Sequence, residues 1–158
     1  MPTFVKTRTM NYLQVISTLI AVVTAFFGVL TFHRNVKVRR SEWLHVLYQK
    51  FYENERLKMV RSDLIYFPDK FSTMNLSDEE VAKQPEKMQF AESADDFLNF
   101  FEFIGSLHKV GQIKTEEVTM LFRYYLNKIA DNKHLSSYLQ GAGYENLVAL
   151  LTVVKNRN

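Results

Sequence analysis

The sequence predicts an all-α protein, with one N-terminal transmembrane helix followed by a small cytosolic helical bundle. Three observations predict it. Residues 12–32, YLQVISTLIAVVTAFFGVLTF, form an uncharged run of 21. Beyond it, apolar side chains recur at the i, i+3, i+4, i+7 spacing of buried helix faces. No alternating five-residue pattern bounded by turn residues suggests a strand.

The span comes first, after a tail over residues 1–11. A helix of this length measures about 32 Å, enough to cross the hydrocarbon core of a bilayer. No small-x-small cleavage pattern precedes His33, so the span is expected to be retained rather than removed as a signal peptide. Its small and polar residues fall on one side: Gln14, Ser17, Ala21, Thr24, Gly28 and Thr31. They step by 3, 4, 3, 4, 3, the seam spacing of a left-handed coiled coil. In lipid a helix gains nothing by turning leucine toward a partner. Small residues allow close backbone approach, and Gln, Ser and Thr can hydrogen-bond between helices. The seam therefore predicts self-association.

Residues 33–40 form a basic juxtamembrane segment. Arg34, Lys37, Arg39 and Arg40 follow the span, against Lys6 and Arg8 before it, which predicts a single pass with a cytoplasmic C-terminal domain. HRNVKVRRSEW lacks Pro and Gly, so the membrane helix is expected to run on into the domain at 41–158. That domain should open with a helix over about 41–67, its apolar side formed by Trp43, Leu44, Leu47, Phe51, Val60, Leu64 and Phe67, and stopped by Pro68. Residues 68–92 read as a polar, mobile connector in which Ser77 and Glu80 cap a short helix. A second long helix starts near Ser93 and ends before Gly111, with Phe97, Phe100, Phe101, Ile104 and Leu107 as its stripe. Thr115 caps a third, with Val118, Leu121, Phe122, Tyr125 and Ile129 inward, and the short loop predicts an antiparallel hairpin between these two. A short helix near 136–140, the Gly141-Ala142-Gly143 turn and a last helix over 144–154 complete the chain.

Charge distribution limits the function classes. Residues 1–40 hold six Lys or Arg and no acid; residues 41–158 hold fourteen basic and seventeen acidic side chains. The positive excess is juxtamembrane, where it can meet anionic headgroups, and the domain has no global field for long DNA or RNA. There is no cysteine, and the four histidines lack metal-site spacing, so no metal, cofactor or enzymatic activity is expected. Glu102 is expected on a solvated face and His108 near a helix C-terminal dipole. Phosphate chemistry is the better fit. Lys133, His134, Ser136 and Ser137 open a helix, where free N–H groups favour anions. Tyr144, after the Gly-Ala-Gly turn, offers a stacking face, and Arg123 and Lys128, with Tyr124, can extend the surface. On the residues alone, an ordinary cap and a tight turn are the simpler reading of the same loops.

The segment DDFLNFFEFIGSLHKVGQIKTEEVTMLFRYYL resembles the helix pair of uncharacterised bacterial single-span proteins that carry a small helical domain. The layout, with its basic juxtamembrane segment, also resembles the small membrane effectors of type III CRISPR antiviral defence. That resemblance implies a homotetramer whose cytosolic domain binds cyclic tetra-adenylate, or a similar cyclic oligonucleotide, and which then perturbs or opens the membrane. A fourfold assembly would present each cationic loop four times around one axis. The competing expectation is a non-enzymatic membrane adaptor whose helical domain docks a protein partner.

Overall fold

A computed structural model describes residues 3–156, and these are helical throughout with no strand among them. Helix α1 runs from Thr3 to Glu53, α2 from Glu55 to Tyr66, and a 3-10 helix from Pro68 to Asn75. Then come α3 (Asp78–Ala82), α4 (Pro85–Lys109), α5 (Thr115–Asp131), α6 (Lys133–Gly141) and α7 (Glu145–Lys155). Two compact units divide at residue 47. The first is a single helix that is long and apolar enough to cross a membrane. The second is the helical bundle of residues 48–158.

Helical assignment continues through residues 33–43, as the absence of Pro and Gly predicts. The single helix expected over 41–67 is instead broken at Asn54. Asn54 takes an extended ψ of 118°, and its side chain accepts from the Leu57 amide at 3.1 Å. With Glu55 behind it, Asn54 is an N-cap inside a run that periodicity reads as continuous. Trp43 and Leu44 are only half-buried and Phe67 is exposed, while Leu47, Phe51, Val60 and Leu64 enter the core.

The connector expected over 68–92 is largely folded. Phe71, Thr73 and Met74 are buried in the 3-10 helix, and α4 begins at Pro85, eight residues before Ser93. Proline suits the first helical turn because the N–H it lacks would have no partner there. Ser77 does cap α3: its amide and hydroxyl meet Glu80 at 3.0 and 2.8 Å and hold that carboxyl below its ordinary range.

Helix α4 buries its expected phenylalanine stripe and ends in a Schellman turn. Gly111 has φ +74°, and the Gln112 amide donates back to the Leu107 carbonyl at 2.9 Å. Lys114, not Thr115, is the residue that precedes α5; Thr115 is its first residue, and its hydroxyl lies 2.9 Å from His108 Nε2. The expected hairpin of α4 on α5 is not the main contact. Both helices pack chiefly on α7 and meet each other through rings, Phe100 and Phe101 lying 5.7 and 5.8 Å from Phe122. Phe51, fully buried, is the hub of this core, with Phe97, Phe100, Phe101, Phe122 and Tyr125 all within 6.0 Å.

Candidate functional site: a polar seam on the span and a cationic loop on the bundle

On α1 the six seam residues are exposed. The hydroxyls of Ser17 and Thr18 both donate to the Gln14 carbonyl, at 2.9 and 2.8 Å, which is how a lone helix shelters hydroxyls from lipid. The side-chain amide of Gln14 and the hydroxyls of Thr24 and Thr31 have no partner among the described residues. Nothing lies within 4 Å of a Cβ placed on Gly28. The helix thus offers a flat strip for backbone approach, interrupted by polar groups that hydrocarbon cannot satisfy.

The cationic residues form the first turn of α6, which starts at Lys133 and not near residue 136 as expected, because Asn132 caps it there. Asn132 is buried and caps the helix, its side chain accepting from the His134 and Leu135 amides at 3.0 and 3.2 Å. Those are two of the N–H groups that an anion would use. Lys133 Nζ and His134 Nε2 both face Asp69 Oδ1, at 3.7 and 3.5 Å, and the His134 carbonyl accepts from Asn75. Nothing near Lys133 in the sequence signals Asp69. It comes from the 3-10 helix, sixty-four residues away in sequence, and only the fold brings it there. Ser136 and Ser137 are exposed one turn further on.

Tyr144 is not the exposed stacking face that its glycine flanks suggest. It is buried, and its hydroxyl donates to Asp95 Oδ1 at 3.1 Å, the same oxygen that Tyr138 reaches at 2.9 Å. Burial first, then the charge of Asp95, pushes the Tyr144 phenol well above its ordinary range. Arg123 and Lys128 stay exposed on α5, with the Lys128 ammonium 5.8 Å from the Tyr124 ring. The fold therefore joins Lys133 to His134 through Asp69 and assigns Tyr144 to the interior.

Two interior polar groups escaped the sequence reading. Glu102, expected on a solvated face, is half-buried and reaches from α4 to the first turn of α7. Oε1 accepts from the Asn146 amide at 3.2 Å and Oε2 from the Leu147 amide at 2.7 Å. A carboxylate there meets the positive end of the α7 dipole. Arg61, absent from every motif considered, is buried against the end of α1. Neither has a local sequence signal, because each partner lies on another helix. No group of three or more potential metal ligands occurs among the described residues. No protein-family model, curated protein or solved structure matches this chain.

Proposed function

We propose that this protein is a single-span membrane effector that self-associates through its polar seam. In this reading the helical domain is cytoplasmic, has no catalytic role, and acts in antiviral defence of the CRISPR type. It binds a cyclic oligonucleotide, with cyclic tetra-adenylate the ligand that the resemblance suggests, and the homotetramer then perturbs or opens the inner membrane. One observation supports it above the others: the unbroken seam of Gln14, Ser17, Ala21, Thr24, Gly28 and Thr31 on an uninterrupted helix. An ordinary anchor has no need of three unsatisfied polar groups on one side. Copies inserted in the same direction place each of these groups opposite itself. A ligand can drive the change only if it favours one arrangement of the bundles over another.

The cationic loop sets the limit on ligand affinity. Asp69 offsets the charge of Lys133, so each copy contributes little and binding requires several copies around one ligand. The same Asp69 contact favours the second reading, an adaptor whose bundle docks a protein partner. Dye-loaded vesicles containing the purified full chain separate the two. Cyclic tetra-adenylate should release dye from wild-type vesicles and not from vesicles carrying Ala21→Leu/Gly28→Leu. Dye retention with bound ligand removes the membrane-opening step. Absence of any cyclic oligonucleotide binding leaves the adaptor.

A further inference from the structure

Arg61 is a buried charge that neither the seam nor the cationic loop uses. It lies on α2 at 6% exposure, and no carboxylate pairs with it among the described residues. Instead Nη1 donates to the Phe51 carbonyl and Nη2 to the Tyr52 carbonyl, the latter at 3.2 Å. Both acceptors belong to the last turn of α1, which ends at Glu53. The guanidinium carbon lies 4.7 Å from the Phe51 ring centre, 5.0 Å from Tyr52 and 5.9 Å from Tyr125.

Final-turn carbonyls have no partners within their own helix and carry the negative end of its dipole. They and the three ring faces supply the counter-charge that a carboxylate would otherwise give. A planar, weakly hydrated guanidinium suits this setting, and a lysine ammonium does not. Apolar contacts around Phe51 hold the helix by shape. Two hydrogen bonds to consecutive carbonyls add directional constraints on its axial position and rotation.

We infer that Arg61 is a positioning residue that clamps the last turn of α1 to the bundle, so that this turn moves with α2 and not independently of it. The clamp stands on the geometry of the bundle alone. Its consequence for the span, that a change in the bundle is passed into α1, rests on the proposed function.

Hydrogen exchange on the full chain in detergent tests the clamp. In Arg61→Met the amides of residues 48–58 should exchange at least about tenfold faster, while those of α4 and α7 stay within about twofold of wild type. Millimolar guanidinium should restore protection over 48–58 in Arg61→Ala. If the methionine variant fails to fold, Arg61→Lys keeps the charge, loses the paired geometry, and should show the same local loosening. An equal rise in all helices would make Arg61 a general core residue and overturn the clamp, as would no rise at all. Cross-linking of the span in the same samples reads the seam separately, so a failure of self-association appears there and not in the exchange pattern.

Discussion

Replacing Gly105 by alanine should destabilise the bundle, although alanine is the better helix former by about 1 kcal/mol. A Cβ on Gly105 would lie 2.4 Å from the Asn146 carbonyl oxygen, 2.6 Å from its carbon and 3.0 Å from the Leu147 nitrogen. All three are backbone atoms of the first turn of α7, so no side-chain rotation relieves the clash. Ordinary contact requires α7 to retreat by about 1 Å. That retreat lengthens the hydrogen bonds that the Asn146 and Leu147 backbone amides donate to Glu102, at 3.2 and 2.7 Å. Overpacking costs about 1–3 kcal/mol, and weakening charge-assisted bonds adds about 1–2 kcal/mol. Against the propensity gain, the net loss is about 1–4 kcal/mol, or a melting temperature about 4–16 °C lower. Scanning calorimetry of the full chain in detergent reads it. Glu102→Gln should lower stability by about 1–2 kcal/mol, since one carboxylate oxygen becomes an NH2 group facing an N–H. The double variant should lose less than the sum, because both changes act on one junction. A Gly105→Ala protein as stable as wild type would refute the close approach of α4 and α7.

The folded-state pKa of the Tyr144 phenol is raised above its ordinary value of 10.0. The stability it contributes is therefore complete below pH 10 and declines as pH climbs toward the folded-state value, by up to about 1.4 kcal/mol per pH unit. Tyr52, raised by burial and by Tyr125 and Tyr48, adds to the same decline, and alkaline urea titrations of Tyr144→Phe should show a shallower slope than wild type. If the α6 loop holds phosphate, Asp69→Asn should strengthen cyclic tetra-adenylate binding about two- to fivefold and Lys133→Glu should weaken it, both measured by calorimetry. Unchanged affinity in both would move the site to Arg123 and Lys128. A reporter fused after Asn158 should be active only in its cytoplasmic form, and protease access to the bundle from the periplasmic side would reverse the topology.

Local chemistry was legible in the sequence wherever the partner was near in the chain. The α4 stripe, the Gly111 turn and the Ser77–Glu80 box each depend on residues within about a turn, and all three are present. The break at Asn54 was missed because Phe51, Val60 and Leu64 keep helical period across it, and a cap inside such a run leaves periodicity undisturbed. The polar look of residues 85–92 hides the start of α4, although Pro85 marks a first turn. At the candidate site, Lys133 and His134 are neighbours in the sequence, but Asp69 arrives from a distant element. The glycines beside Tyr144 suggest an exposed ring, whereas Asp95 and burial decide its role. Glu102 and Arg61 follow the same rule: a charge that caps another helix cannot be told from a solvated charge until the two helices are placed together.

Self-association through the span is the claim on which the rest of the proposed function stands. Its most direct measurement compares two paired substitutions in a membrane association assay of the full chain. Ala21→Leu/Gly28→Leu places bulk on the seam, and Val22→Leu/Val29→Leu places it one residue away. The seam pair should reduce association by an order of magnitude or more, and the neighbouring pair should leave it near wild type. Equal effects from both pairs, or none from either, would contradict the account.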